Sequence, residues 1–133
     1  MTVNGKMQSG EFRIAGNVSS QYVSGLIFSL PLLDGDSKII LTTELESSPY
    51  VDMTIDAVGK FGVKIEKTEY GFFVKGKQKY ISPEYVEVEG DWSNSAFWLV
   101  ANAIGNNVKV NGLNTNSKQG DKRIEEIIKT YLV

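Results

Sequence analysis

The sequence predicts a mixed α/β fold, and three observations support this prediction. Apolar residues recur with a period of two in some segments, as in strands, and with a helical period in others. Short segments of both kinds follow one another along the 133 residues, about the length of one domain. In addition, GNVSSQ at position 16 and GDWSNS at position 90, which lie 74 residues apart, each introduce an apolar helix. This loose repeat indicates duplicated β-α-β-α units, with chance similarity between two helix starts as the alternative.

The chain opens with a predicted strand, a helix and a second strand. EFRIA (11–15) has the pattern of a short strand, and KIILT (38–42) is β-branched and typical of a buried strand. Residues 18–30 carry the i, i+3, i+4, i+7 stripe of an amphipathic helix at Val23, Leu26, Ile27 and Leu30. Pro31 and the turn after it end this helix.

A second helix is predicted over residues 47–62. Ser48 suits its N-cap, and Pro49 suits the first helical position, where the missing N–H costs nothing. Gly62 suits the C-terminal cap. The later elements are strands at 63–68, 71–76, 85–90 and 107–112, and helices at 93–104 and 121–132.

Composition excludes several classes of function. The net charge is −2, so no basic field is available to neutralise the phosphates of a nucleic acid. The chain has neither cysteine nor histidine, which excludes disulfides, Cys or His metal sites and a Ser-His-Asp triad. We therefore expect no metal and no cofactor. No apolar run is long enough to span a membrane and the N-terminus is too polar for a signal peptide, which makes the cytoplasm the expected location.

Ser19, Ser20 and Gln21 precede the first apolar helix and are candidates for an anion site. The first backbone N–H groups of a helix lack partners, and the helix dipole is positive there. Two hydroxyls and a carboxamide would add hydrogen-bond donors suited to phosphate oxygens. The alternative is that Ser19 merely caps the helix, and the residues alone favour it because serine is a preferred cap.

The segment ESSPYVD (46–52) repeats this arrangement at the second helix. Ser47 and Ser48 precede the helix, and Tyr50 lies in its first turn. A tyrosine ring there could lie against the ring of a small ligand while a serine hydroxyl binds its polar edge. A helix cap and an aromatic residue packed on the core are the alternative, and the residues alone favour it.

Three other polar groups have simpler interpretations. Asp91 is predicted to cap the helix that follows it. Asp52 and Asp56, four residues apart on one helix face, are interpreted as a solvated face rather than an acid–base pair. Residues 116–123 combine basic side chains with a glycine turn, and they too are interpreted as facing solvent.

Taken together, these motifs resemble the bacterial 5-enolpyruvylshikimate-3-phosphate synthases. The resemblance rests on GNVSSQYVSGLIFSLPLL, LESSPYVDMT, FGVKI, VEGDWSNSAFWLVA and NSKQGD, in the order and spacing of that family. It implies transfer of the enolpyruvyl group of phosphoenolpyruvate to the 5-hydroxyl of shikimate 3-phosphate, on the route to the aromatic amino acids. UDP-N-acetylglucosamine enolpyruvyl transferases share the fold but are less similar at SSQ and SPY. A non-catalytic α/β module is a further alternative.

The resemblance also implies roles for individual residues. Ser19, Ser20 and Ser47 would bind the 3-phosphate of shikimate 3-phosphate. Gln21 would contact that ligand and phosphoenolpyruvate, and Tyr50 would lie beside the shikimate ring. No catalytic residue of the family has a counterpart here, so we expect the chain alone to be inactive.

The family fold consists of two lobes of repeated β-α-β-α-β-β units, of which this chain would hold about two, incompletely. Residues 1–88 would belong to the N-terminal lobe, and residues 89–133 would begin the C-terminal lobe. MTVNG resembles the interior of a strand, and the last helix stops at YLV without a cap, which is the pattern of a central fragment. Exposed edges in such a fragment would favour self-association.

Overall fold

A computed structural model of the chain contains two compact units, residues 1–84 and residues 85–133. It describes Thr2 and residues 4–131. The strand-like pattern of MTVNG therefore lies partly outside the described residues, as does the last residue of the helix predicted over 121–132. Helices and strands are both present, which confirms the mixed α/β class. None of the described helices has the length and apolar character needed to cross a membrane.

The first unit follows the order strand, helix, strand, helix, strand, strand, with a short 3₁₀ turn after the first helix. Its elements are β1 (Glu11–Ile14), α1 (Ser20–Ser29), the 3₁₀ turn (Leu30–Leu32), β2 (Ser37–Leu41), α2 (Ser48–Lys60), β3 (Ile65–Thr68) and β4 (Gly71–Val74).

The four strands form one mixed sheet in the order β1-β2-β4-β3. β1 and β2 are parallel, and α1 connects them. β4 is antiparallel to both of its neighbours, and β3 and β4 form a hairpin. Because β1 and β2 are parallel neighbours, their carboxyl ends lie at the same end of the sheet. The starts of α1 and α2 are therefore brought to that end too.

One hydrophobic core joins the two helices to one face of this sheet. Period-two alternation places Ile39, Phe72 and Val74 on the same face, since Ile39 is paired with Phe72. The predicted stripe of α1 is confirmed: Val23, Ile27 and Leu30 are fully buried and Leu26 packs against the cluster. The other members of the buried cluster are Val51, Val58 and Val63.

The predicted cap of α2 is confirmed at its C-terminal end but not at its N-terminal end. Gly62 has φ of +83°, and its N–H donates to the Gly59 carbonyl oxygen while the Val63 N–H donates to that of Val58. These two bonds form a Schellman cap, which glycine favours. The N-cap, however, is Ser47 rather than Ser48, and Pro49 is the second helical residue. The prediction for Ser48 and Pro49 was wrong because Ser48 already has helical geometry.

The second unit consists of two helices and irregular chain. α3 (Trp92–Ala103) is capped by Asp91, whose side chain accepts a hydrogen bond from the Ser93 N–H at 2.9 Å, as predicted. A 3₁₀ turn (Gly120–Arg123) precedes α4 (Ile124–Tyr131), so this α-helix starts later than predicted.

The strands predicted at 85–90 and 107–112 are absent from the structure, and these two predictions were wrong. A strand needs a row of backbone hydrogen bonds to a partner strand. Among the described residues, a single backbone bond joins the two segments, from the Gly90 N–H to the Gly112 carbonyl oxygen. The backbone groups of Val108 are bonded to the Asn102 side chain instead of to a strand: the Val108 N–H donates to the side-chain oxygen, and the side-chain NH₂ donates to the Val108 carbonyl oxygen. Val88 remains 89% exposed.

Candidate functional site

The loops that precede α1 and α2 are tied together. The Glu46 N–H donates to the Gly16 carbonyl oxygen at 3.1 Å, and the Asn17 N–H donates to the Thr43 hydroxyl at 3.1 Å. The Thr43 hydroxyl in turn donates to the Asn17 side-chain oxygen at 3.0 Å. Gly16 lies so close to the second loop that a Cβ atom there would be 2.7 Å from the Glu44 carbonyl oxygen. The two helix starts are thus held side by side.

A cleft of about 690 Å³ lies between these two helix starts. All five residues predicted to bind the ligand line it, although they come from segments 26 residues apart at Gln21 and Ser47. The lining consists of Val18, Ser19, Ser20, Gln21, Ser24, Phe28, Glu46, Ser47, Tyr50, Met53, Thr54 and Ala57.

Ser19 caps α1, which confirms the simpler of its two interpretations. Its backbone is extended, with φ of −165°, and its Oγ accepts a hydrogen bond from the Gln21 N–H at 3.2 Å. Accepting this bond leaves the hydroxyl proton of Ser19 able to donate elsewhere. Among the residues that the structure describes, the side chains of Ser20 and Gln21 make no hydrogen bond, so their donors are available to a ligand in the cleft that both residues line. Capping and ligand binding are compatible at this helix start.

Ser47 occupies the corresponding position at α2 with a different geometry. Its backbone is left-handed, with φ of 55° and ψ of 39°, and its side chain makes no cap hydrogen bond. The hydroxyl is consequently available to a ligand. Tyr50 lies in the first turn of α2 with 56% of its surface exposed, so its ring is available as well.

Two hydroxyl residues of the cleft were missed by sequence reasoning. Ser24 and Thr54 line it and contact each other, with 2.8 Å between their hydroxyl oxygens. Helical spacing was the signal that could have found them: each lies four residues after a predicted site residue, Ser20 and Tyr50 respectively, and therefore on the same helix face.

The cleft offers neutral donors and very little charge. Within the described part of the chain, Glu46 is the single charged residue of its lining, and this residue is exposed to solvent. The electrostatic attraction for an anion comes from the positive ends of the two helix dipoles. The cleft can therefore hold an anionic group through hydrogen bonds, but it lacks a cation to balance the charge.

Tyr80 supports the last turn of α1, whose Phe28 lines the cleft. The Tyr80 hydroxyl donates to the Phe28 carbonyl oxygen at 2.9 Å, and the Tyr80 ring packs against the hydrophobic core. Burial raises the pKa of this hydroxyl above its ordinary value of 10.0. The neutral, protonated form of Tyr80 thereby fixes the last turn of α1.

The other polar groups noted in the sequence do not join this cleft. Asp52 pairs with Lys67 at 2.5 Å and Asp56 pairs with Lys60 at 3.4 Å, each with exposed partners, as expected of a solvated face. Lys122, in the basic segment of the second unit, donates to the Thr115 carbonyl oxygen. Among the residues that the structure describes, no cluster of three or more acidic side chains could hold a metal ion.

Comparison with known proteins gives consistent similarities. The family model of EPSP synthase (3-phosphoshikimate 1-carboxyvinyltransferase) matches residues 1–131. Proteins named 3-phosphoshikimate 1-carboxyvinyltransferase from Clostridium novyi and Clostridium kluyveri are 55% and 53% identical to the chain over 130 residues. The corresponding protein of Clostridium acetobutylicum is 51% identical over the same length. Each match covers 97% of this chain, and the chain spans 30% of the length of each relative.

Proposed function

Because the chain belongs to the EPSP synthase family, we propose that it forms the shikimate 3-phosphate binding segment of a 3-phosphoshikimate 1-carboxyvinyltransferase. In the reaction that we propose for the whole protein, the enolpyruvyl group of phosphoenolpyruvate moves to the 5-hydroxyl of shikimate 3-phosphate and phosphate is released. The observation that supports this role is the convergence of two tied helix starts, with all five implied residues, on one cleft.

We assign the hydroxyls of Ser19, Ser20 and Ser47 to the 3-phosphate of the ligand. None of the three hydroxyls donates its proton to another group within the described part of the chain, and the helix dipoles favour an anion at this position. The carboxamide of Gln21 would contact the same ligand and phosphoenolpyruvate. The exposed ring of Tyr50 would lie beside the shikimate ring.

This segment would contribute binding and positioning rather than proton transfer. No general acid or base is assigned among the residues that line the cleft, and its one carboxylate, Glu46, repels a phosphate. We therefore expect weak binding of shikimate 3-phosphate by the 133-residue chain, and no turnover. Release of phosphate by the chain alone, from phosphoenolpyruvate and shikimate 3-phosphate, would contradict this expectation.

The binding role can be tested by NMR titration of the chain. Shikimate 3-phosphate should shift the backbone amides of residues 19–21 and 47–50, whereas shikimate without its phosphate should shift them much less. Ser20→Ala should weaken binding about five-fold, the loss expected for one neutral hydrogen bond. Ser82→Ala, which removes an exposed hydroxyl outside the cleft lining, is the matched control.

Besides a lack of binding by the unchanged chain, two results would overturn the proposed function. One is a set of shifts confined to residues outside the two helix starts. The other is a Ser20→Ala variant that binds shikimate 3-phosphate as well as the unchanged chain, because the hydroxyl would then have no part in the site.

Two alternative functions can be tested in the same way. A UDP-N-acetylglucosamine enolpyruvyl transferase segment would respond to UDP-N-acetylglucosamine instead, although the relatives described above carry the shikimate enzyme's name. A non-catalytic module would respond to neither ligand, and replacement of Ser19 and Gln21 by alanine would lower its stability alone.

Four further expectations belong to this proposal. Residues 1–88 would lie in the N-terminal lobe of the whole protein, and residues 89–133 would begin its C-terminal lobe. The chain would contain about two of the repeated β-α-β-α-β-β units. Its location would be the cytoplasm, and the exposed edges of the isolated chain would favour self-association.

A further inference from the structure

The contact between Ser24 and Thr54 is the hydrogen bond that joins α1 to α2, as far as the described residues extend. Both residues are half-buried and both line the cleft. Each lies one helical turn behind a proposed ligand-binding residue: Ser24 behind Ser20, and Thr54 behind Tyr50.

The direction of this bond can be deduced from the number of protons. The Thr54 hydroxyl donates to the Tyr50 carbonyl oxygen at 2.9 Å. A hydroxyl has one proton, so both contacts of Thr54 are hydrogen bonds at once only when Thr54 donates to the Tyr50 carbonyl oxygen and accepts from Ser24. The Ser24 proton therefore points into the helix pair, and a continuous chain of bonds runs from Ser24 through Thr54 to the Tyr50 carbonyl.

This direction separates Ser24 from the serines at the two helix starts. Ser19, Ser20 and Ser47 have protons that an anion can use, whereas the proton of Ser24 is already committed. Ser24 is consequently unsuited to donate to a phosphate, despite its place in the lining. Its bond instead fixes α2 relative to α1 one turn from the two helix starts.

We propose that Ser24 and Thr54 are positioning residues that set the spacing of the two helix starts, and thereby the affinity for shikimate 3-phosphate. The proposal rests on the function proposed above. Hydrogen bonds between loops 15–19 and 42–47 hold the two helices together just before their first residues. The Ser24–Thr54 contact holds the same two helices together within their first two turns. The proposed ligand-binding groups lie between these two points.

A double-mutant cycle in the 133-residue chain tests this role. Ser24→Ala and Thr54→Val each remove the inter-helix bond, so each should weaken binding of shikimate 3-phosphate about five-fold. The double variant should also lose about five-fold, because the same bond is lost once. Thr54→Ser keeps the hydroxyl and should bind like the unchanged chain.

Ser29→Ala is the matched control, since Ser29 lies on the same helix but its hydroxyl bonds the Gly25 carbonyl oxygen of that helix at 2.9 Å. It should leave binding unchanged. In the absence of ligand, Ser24→Ala should also shift the amides of residues 47–50 on the opposite helix. This measurement decides the question even if Thr54→Val fails to fold.

The possible failures are distinguishable. If the unchanged chain does not bind shikimate 3-phosphate, the proposed function falls, and this role falls with it. If the unchanged chain binds but the losses in the two single variants multiply, the hydroxyls are separate ligand contacts and the positioning role is overturned. Unchanged affinity in Ser24→Ala, or failure of Thr54→Ser to restore binding, also overturns it.

Discussion

At the scale of single residues, Ser47 carries the clearest backbone strain of the cleft. A left-handed conformation brings the Cβ of an ordinary residue too close to the backbone, which costs about 1–2 kcal/mol relative to glycine. Ser47 adopts it at the start of α2, where its hydroxyl makes no cap bond. Strain of this kind is often kept at a functional position, where it directs a side chain toward a ligand.

Two substitutions separate the strain at Ser47 from its hydroxyl. We expect Ser47→Gly to be more stable than Ser47→Ala by about 1 kcal/mol, because glycine adopts the left-handed conformation without a steric cost. Both variants should lose the same affinity for shikimate 3-phosphate. Urea unfolding and NMR titration measure the two effects. Equal stabilities would show that the left-handed geometry carries no cost.

Because of Tyr80, the free energy of unfolding of the first unit should depend on pH in the alkaline range. Its pKa is raised by burial in the folded chain, so as pH rises the unfolded chain loses this proton first, near 10.0. The stabilising contribution is therefore complete below pH 10.0 and is lost between that value and the raised pKa.

We expect Tyr80→Phe to remove this dependence. The variant lacks the bond to the Phe28 carbonyl oxygen, so it should be about 1 kcal/mol less stable at neutral pH. The difference from the unchanged chain should shrink as pH rises above 10.0. Urea midpoints measured along a pH series provide the test, and a constant difference would argue against ionisation of Tyr80.

At the scale of elements, the loops before α1 and α2 depend on close backbone contact at Gly16. A Cβ there would approach the carbonyl oxygens of Glu44 and Thr43 to 2.7 and 2.9 Å. Backbone atoms cannot move aside as a flexible side chain can. The two loops would have to separate, and the helix starts with them.

Gly16→Ala should therefore destabilise the first unit by about 1–3 kcal/mol, the usual cost of overpacking. Gly25→Ala is the matched control, because Gly25 lies within α1 with open space around it. The control should stabilise the unit by about 0.5–1 kcal/mol, since alanine favours helix. Circular dichroism during urea unfolding measures both changes, and similar effects of the two substitutions would contradict the contact argument.

The elements also show what the sequence could and could not predict. The stripe at Val23, Ile27 and Leu30 predicted α1 because one buried face imposes its period on the sequence. The start of α2 was misplaced by one residue, since Ser47 and Ser48 have equal capping propensity and the left-handed geometry leaves no local signal. The strands at 85–90 and 107–112 were wrong because alternation predicts a strand only where a partner exists.

The site showed the same division. The SSQ and SSPY motifs identified five lining residues through a resemblance, because the residues of each motif lie close together in the sequence. Helical spacing could have placed Ser24 and Thr54 on the faces that line the cleft, but it could not predict that they contact each other across 30 positions. Such a contact depends on how α1 packs on α2, which local patterns do not encode.

At the scale of the whole molecule, the two units differ in their apolar cores. Each residue of the buried hydrophobic cluster belongs to residues 1–84. Among the described residues of 85–133, Trp92 is the single apolar side chain that is fully buried. Small units with little buried apolar surface have low stability.

We therefore expect the chain to unfold in two steps, with residues 85–133 unfolding first. Both tryptophans of the sequence, Trp92 and Trp98, lie in that unit, so their fluorescence reports on it alone. Amide hydrogen exchange in β2 and β4 reports on the first unit. The fluorescence midpoint should occur at lower urea concentration than the loss of amide protection, and coincident midpoints would contradict two independent units.

The uncharged lining of the cleft has a consequence for how the isolated chain responds to its medium. Anion sites made of lysine or arginine lose affinity steeply as ionic strength rises, because dissolved ions compete with paired charges. Hydroxyl and amide donors have no such pairing to lose. Association of a phosphorylated ligand with Ser19, Ser20 and Ser47 should therefore vary little between dilute and concentrated buffers, and Glu46, being repulsive, would favour the concentrated ones.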